Sequence, residues 1–223
     1  MATEIEIKRL LDAHGYERLR RHLDSLGAPE RQEQVNHYLD LPDAALRQAG
    51  AMLRLRVIGE RLVLTLKARA NVSHGVLQAQ ELERELTTAA ERTFWLQRPV
   101  PWQAAVMRLD DWLTATGLAL SAARDSALIE VGSTANLRLV YRLAAGIPGW
   151  PLPLTLELDH TRYPGGIDRL ELECEHVHAH ELAPLLDAWL TRLDVVGAHA
   201  TETKYAQFLR LASMPPALRA TWE

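Results

Sequence analysis

The chain has 223 residues, 48% of them apolar and 24% charged, enough to bury one large core or two small ones. A net charge of −4 argues against a general nucleic-acid binder, and a single cysteine, Cys174, excludes an internal disulfide framework and suits the cytosol. No run approaches about 18 uncharged apolar residues, and a strand pattern begins near the amino terminus, so neither a membrane span nor a signal peptide is expected.

In chain order, the first element is a strand over 3–9. Successive side chains of a strand point to opposite faces, so Glu4, Glu6 and Lys8 share one face and Ile5 and Ile7 the other. A helix over 12–26 stops at Gly27. Alternation resumes over 31–40, through Asn36-His37-Tyr38-Leu39-Asp40, and ends before Pro42. A hairpin is expected from the strand Met52–Val57, a turn at Gly59-Glu60, and a strand from Leu62 to Arg69. The strand over 77–87 aligns Glu81, Glu83 and Glu85. Helical spacing over 89–116 is broken at Pro99 and Pro101. Strands over 125–132 and 136–143, joined at Gly132-Ser133-Thr134, precede strands over 153–160 and 168–176, with helices over 179–194 and 202–212 last. Strands of one character lie on both sides of the Pro/Gly-rich loop 144–153. The organisation is therefore read as one domain over 1–213 with a tail over 214–223.

Parity along these strands repeats one arrangement. Arg54 and Arg56 oppose Leu53, Leu55 and Val57, and Thr65, Lys67 and Arg69 oppose Leu62, Leu64 and Leu66. Arg138 and Arg142 oppose Leu137, Leu139 and Tyr141; Glu157 and Asp159 oppose Leu154, Leu156 and Leu158; Glu171, Glu173 and Glu175 oppose Leu170, Leu172 and Cys174. The bland reading is an antiparallel sheet with one face on helices and one in water. The sorting into acidic and basic rows favours another: a barrel closed with the charged face inward and the leucines outward under helices. Like charges about 4 Å apart repel by roughly 4 kcal/mol at an effective dielectric near 20, so acidic rows call for divalent cations and basic rows for a polyanion. All-carboxylate ligation suits Mg²⁺ or Mn²⁺. Only Lys8, Lys67 and Lys204 among 25 basic residues are lysine, and all three fall in these motifs.

Glu4-Ile5-Glu6-Ile7-Lys8 resembles the ExExK signature of the CYTH superfamily, the triphosphate tunnel metalloenzymes. The ordered series that follows resembles the same family over nearly the whole chain: Tyr38-Leu39-Asp40-Leu41-Pro42, Leu53-Arg54-Leu55-Arg56, Leu64-Thr65-Leu66-Lys67, the glutamates at 81, 83 and 85, Arg138, Leu156-Glu157-Leu158-Asp159, Glu171-Leu172-Glu173 and Thr203-Lys204-Tyr205. Its tripolyphosphatase and thiamine-triphosphatase-like branch is the most similar. The resemblance implies an α+β fold: a closed eight-stranded antiparallel barrel with a polar lumen, outer helices and a C-terminal plug helix. It implies metal ligation by Glu4, Glu6, Asp159, Glu171 and Glu173, with Glu157 or Glu83 beside them. Substrate binding falls to Lys8, Arg54, Arg56, Lys67, Arg69, Arg138, Arg142 and Lys204, and catalysis to Glu4, Lys8, Lys67 and Lys204. Two Mg²⁺ or Mn²⁺ ions and hydrolysis of tripolyphosphate are implied, without a side-chain nucleophile. Thiamine or nucleoside triphosphate hydrolysis, cyclisation of ATP and polyphosphate binding without turnover stand as alternatives.

His176-Val177-His178-Ala179-His180 is read as a solvated cluster at a strand end, and Cys174 as a packing residue. The tryptophans at 95, 102, 112, 150, 189 and 222 are read mainly as core or surface anchors.

Overall fold

A computed structural model describes residues 2–120 and 125–213. The expected tail and Trp222 lie outside the described residues. The elements are β1 (Ala2–Leu11), α1 (Ala13–Leu26), β2 (Glu30–Asp40), α2 (Ala45–Gln48), β3 (Ala51–Ile58), β4 (Arg61–Ser73), β5 (Val76–Glu85), α3 (Ala89–Leu96), β6 (Val100–Pro101), α4 (Trp102–Thr116), β7 (Ala127–Leu143), β8 (Leu154–Tyr163), β9 (Ile167–Glu175), α5 (Ala179–Arg192), β10 (Gly197–His199) and α6 (Lys204–Ser213).

Hydrogen-bonded neighbours follow the order β1-β5-β4-β3-β2-β7-β8-β9, and β9 pairs back to β1. The fold is thus the expected closed eight-stranded antiparallel barrel, with β10 added to β1 and β6 to β7. The chain divides into two compact units, and β1, β2, β4, β5 and β7 contribute residues to both.

One unit comprises the residues up to Thr3, Gln34–Ala70 and Ala79–Thr134. Its hairpin forms as expected, and its register sets Val57 opposite Leu62 and Leu53 opposite Leu66, with Gly59 at φ +55 in the two-residue turn. Leu53, Leu55, Leu64 and Leu66 are fully buried against Trp95 of α3 and Ala105 and Leu109 of α4. Each such side chain contributes about 1.5–3 kcal/mol of burial. The interruption expected at Pro99 and Pro101 is real: α3 stops at Leu96, Val100-Pro101 pairs with β7, and α4 begins at Trp102. Asp40 explains the motif around it. Its carboxylate accepts the backbone N–H groups of Leu41, Leu46 and Arg47, tying the end of β2 to α2.

The other unit comprises Glu4–Glu33, Asn71–Gln78 and the chain from Ala135 onward. Asp12 caps α1 by accepting the Gly15 N–H at 2.6 Å, and Tyr16, Leu19 and Leu23 then face the sheet at helical spacing. They pack with Ile7, Leu156, Leu158, Leu172 and Cys174 of the strands and with Leu182, Leu186 and Trp189 of α5. The packing role expected of Cys174 follows: it is fully buried, and burial pushes its thiol up to about 12.

One expectation fails. Residues 125–132 and 136–143 are not two strands joined at Gly132-Ser133-Thr134, because β7 runs unbroken from Ala127 to Leu143. Each stretch has another partner: Ala127 and Leu128 pair with β6, and Ala135–Leu143 pair with β8. Gly132, at φ +148, carries the chain through without reversing it.

Candidate active site

In the second unit, register assembles the charged face. Lys8 stands opposite Glu173 across β1–β9. Glu157 stands opposite Glu173, and Asp159 opposite Glu171, across β8–β9. Arg138 stands opposite Asp159 across β7–β8. Because all share one parity, the six carboxylates Glu4, Glu6, Glu157, Asp159, Glu171 and Glu173 belong to the polar face of these strands, with Lys8 and Arg138 among them. Lys204, first residue of α6, adds a third cation. All but Glu157, Arg138 and Lys204 are buried, and Asp159 and Glu171 completely so.

Every cation in this cluster bridges carboxylates. The Lys8 ammonium lies 3.2 Å from Glu6 and also donates to Glu173. Lys204 meets Asp159, Glu173 at 2.5 Å and Glu171 at 3.4 Å. Arg138 grips Asp159 with Nε at 2.8 Å and Nη2 at 2.6 Å, reaches Glu173 at 2.6 Å, and pairs with Glu157. Asn136 donates a further hydrogen bond to Asp159 at 2.9 Å and is itself held by Thr161. Asp159 is therefore saturated with donors. Glu171 accepts from Gln207 of α6 at 3.3 Å, while its buried Oε2 accepts no hydrogen bond.

The electrostatics follow from this packing. Burial is the largest influence on Lys8 and opposes its charge, but Glu173 and Glu6 together outweigh it and raise the ammonium above the ordinary lysine range. Lys204 is raised in the same way by Asp159, Glu173 and Glu171. For Asp159 and Glu173, burial is again the largest influence and acts upward, yet the neighbouring cations win and hold both carboxyls below their ordinary values. Glu157 goes the other way: burial, with Glu173 and Asp159 adding to it, outweighs Arg138 and raises its carboxyl.

Glu6, Glu157 and Glu173 each offer a carboxylate oxygen, all within 4.8 Å of one another. Three hard oxygen donors at that spacing fit a divalent cation of the Mg²⁺ or Mn²⁺ kind. Glu6 and Glu173 belong to the ligand set the sequence implied. Glu157, named there beside the set, completes the group, and Asp159, a member of the set, stands across from Glu171. The signal was present in the shared parity of Glu157 and Glu173; what the sequence lacked was the register that sets them opposite each other. Glu4 is buried on the same face of β1, outside that triad.

The first unit also holds a charged cluster. Arg54 donates to Thr65 at 3.2 Å and lies 3.8 and 3.7 Å from Glu81 and Glu83. Thr65 donates in turn to Glu83 at 3.0 Å, and Lys67 pairs with Glu81 at 3.3 Å. Arg56 donates to Asn36 at 2.9 Å. Glu81 and Glu83 thus act as counter-ions to the basic rows of β3 and β4, and Glu85 pairs with Arg61. One donor is left over: Arg54 Nε is buried with no hydrogen-bond partner.

Two expected substrate contacts lie elsewhere. Arg69 sits at φ +53, so the alternation that aligned it with Lys67 breaks there, and its exposed guanidinium lies near Gly117 at the end of α4. Arg142 is exposed and pairs with Glu30 at 2.8 Å. After β9, His176 meets Trp150 edge to face at 5.1 Å with His178 tilted toward both rings, and His176 Nδ1 accepts the His178 N–H at 3.0 Å.

A model of the CYTH domain matches residues 2–203. The chain belongs to the CYTH domain family. No curated protein sequence matches it. Among solved structures, this CYTH chain is similar to HpAC1 of Hippeastrum, a proposed adenylyl cyclase described as having a dominant triphosphatase activity: 25% identity, TM-score 0.76, covering 96% of this chain and 98% of that one. A Bacillus halodurans protein provisionally named an adenylate cyclase, bh2851, shares 24% identity at a TM-score of 0.62, over 93% and 99% of the two chains. The PH1819 protein of Pyrococcus horikoshii OT3 shares 18% identity at a TM-score of 0.54, over 93% and 98%. The last two likenesses concern the fold.

Proposed function

We propose that this chain is a metal-dependent triphosphatase that cleaves the terminal phosphoanhydride bond, with inorganic tripolyphosphate as its foremost substrate. The observation that carries the reading is the convergence of Glu6, Glu157 and Glu173 within 4.8 Å, bordered by Lys8, Arg138 and Lys204. An excess of carboxylates is costly for a protein that only binds polyanions, and useful for one that binds a cation with its substrate. The dominant triphosphatase activity described for HpAC1 supports the same reading.

Glu6, Glu157 and Glu173 would hold the metal, Mg²⁺ or Mn²⁺, with Glu4, Asp159 and Glu171 as the remaining candidates for a second ion. A divalent cation at such a site supplies charge neutralisation and lowers the pKa of a bound water. The chain's own part is positioning and electrostatics. Lys8, Arg138 and Lys204 each have several N–H donors, and shifting some of them from carboxylates to phosphate oxygens would stabilise charge developing on the diphosphate leaving group. Arg54, Arg56 and Lys67 are proposed to take phosphate oxygens as well, and the buried Nε of Arg54 has no hydrogen-bond partner of its own. Arg69 and Arg142 drop out of the set. The proposal includes no side-chain nucleophile, a single functional domain over 1–213, and a cytosolic protein without nucleic-acid or membrane partners; no described helix is long and apolar enough to cross a membrane.

The test is phosphate release from tripolyphosphate, thiamine triphosphate and ATP, with Mg²⁺ or Mn²⁺ and with EDTA, beside a Glu173→Gln control. Metal-dependent release, fastest from tripolyphosphate and lost in the variant, is expected. Release fastest from an organic triphosphate would replace the substrate, and no release from any of the three would overturn the reading. Because HpAC1 carries a cyclase name as well, cyclic AMP is measured in the ATP arm.

A further inference from the structure

Arg9 is the one arginine of β1, on the opposite face from Lys8, and its side chain is completely buried. It lies where the parity calls for an apolar residue like Ile7 or Leu11. Its Nε and Nη2 meet the two oxygens of Asp187 on α5, at 2.6 and 2.9 Å. The third nitrogen, Nη1, goes to main chain: to the Lys8 carbonyl at 2.9 Å and the Gly75 carbonyl at 3.0 Å. The Gly75 carbonyl also accepts the Lys8 N–H at 2.8 Å. Both peptide groups of Lys8 are therefore tied down, one directly by Arg9 and the other through a carbonyl that Arg9 shares.

The surroundings are shaped for this guanidinium. Gly75 has φ +71, and a Cβ there would lie 2.5 Å from Arg9 Nη1 and 3.0 Å from His199. Only glycine fits that position on both counts. Stability does not explain the arrangement well. The guanidinium is completely buried and the Asp187 carboxylate 37% exposed; replacing desolvated ion pairs by apolar side chains of similar volume is often neutral or stabilising, so the pair is weak evidence of a stabilising role. Geometry explains it better. A rigid planar fork fixed by a carboxylate on a helix can hold a carbonyl of β1 and one of the β4–β5 turn together, which a lysine or a leucine cannot.

We propose that Arg9, oriented by Asp187, is a positioning residue that fixes the backbone of Lys8 and thereby the ammonium between Glu6 and Glu173. The inference rests on the triphosphatase reading for the consequence to turnover, while the clamp itself is measurable without any reaction. Small displacements of a charged group in a reacting site cost on the order of tenfold to 100-fold in rate.

Three lysines make the measurement direct. In protein labelled with ¹⁵N-lysine, amide hydrogen exchange is followed at Lys8, Lys67 and Lys204 in the wild type and in Asp187→Asn and Arg9→Met. Both variants are expected to speed exchange at Lys8 alone, and to lower kcat/KM for tripolyphosphate by about tenfold to 100-fold. In a Lys8→Met background the same substitutions should add nothing to the kinetic loss. Unchanged exchange at Lys8 would overturn the clamp. Faster exchange at all three lysines would mark Arg9 as generally structural and overturn it too, as would kinetic losses that multiply with Lys8→Met. Faster exchange at Lys8 in a protein that hydrolyses none of the triphosphates would retain the clamp and reject the triphosphatase reading.

Discussion

Glu157 and Glu173 face each other directly across the β8–β9 ladder, and Glu6 brings a third carboxylate to the same point from β1. Arg138 touches both members of the cross-strand pair, so their repulsion is relieved without being removed. Glu173 is the more deeply engaged, meeting Lys8 and Lys204 as well, and it is held ionised where Glu157 is pushed toward the neutral form. Glu157→Gln should lower Mn²⁺ affinity by at least about tenfold, and Glu173→Gln by more. Titration calorimetry with Mn²⁺ alone measures this, and unchanged affinity in Glu157→Gln would exclude that residue from the metal site.

The pH dependence of stability follows from the two depressed carboxyls. Asp159 and Glu173 lie below their ordinary values in the folded protein, so their stabilisation is present above the unfolded values, about 4, and is lost as pH falls through the folded ones. The lysines act at the other extreme. Lys8 and Lys204 are raised, so their contribution is complete below the unfolded lysine value near about 10.4 and declines only above it. Urea midpoints measured from pH 7 to pH 3 should fall steeply below about pH 4 in the wild type and less steeply in Asp159→Asn. Parallel acid limbs in the two proteins would contradict the assignment.

Parity was legible in the sequence because it depends only on the two-residue period of a strand. It brings Glu6, Lys8, Arg138, Asp159, Glu171 and Glu173 onto charged faces and sets the leucine face under helices. Register is not legible, since it depends on which strands become neighbours; parity alone neither sets Glu157 opposite Glu173 and Asp159 opposite Glu171 nor carries β7 unbroken through Gly132. Parity also fails wherever φ turns positive, and Arg69 is the case in point. The roles of Arg9 and Gln207 are illegible for a different reason. An arginine on an apolar face and a glutamine in a helix carry no periodic signal, and both act through partners distant in sequence, Asp187 and Glu171.

Asp40 gives a stability prediction independent of the site. It is buried and accepts three backbone N–H groups, and alanine would leave those donors without their acceptor. The expected loss for Asp40→Ala is about 0.5–2 kcal/mol, in the range of a lost helix cap. Thermal or urea unfolding would show it, and a loss within error of zero would mean that water replaces the carboxylate at no cost.

The basic residues can be ranked by what already surrounds them. Arg54 is buried beside Thr65, with one N–H unpartnered, so an anion that met it would gain a charge-assisted hydrogen bond with little solvent screening. Such a bond is worth about 1.5–3 kcal/mol, or roughly tenfold to 100-fold in affinity. Arg142 is two-thirds exposed and paired with Glu30, and exposed pairs of this kind contribute about 0–1 kcal/mol. Arg69 is exposed as well. Arg54→Ala should therefore raise KM for tripolyphosphate by about tenfold or more, while Arg69→Ala and Arg142→Ala change it by less than about fivefold. Steady-state kinetics at fixed Mg²⁺ separates the cases. If Arg69→Ala or Arg142→Ala matched Arg54→Ala, the exposed arginines would return to the substrate set, and burial would be the wrong guide to which cations hold phosphate.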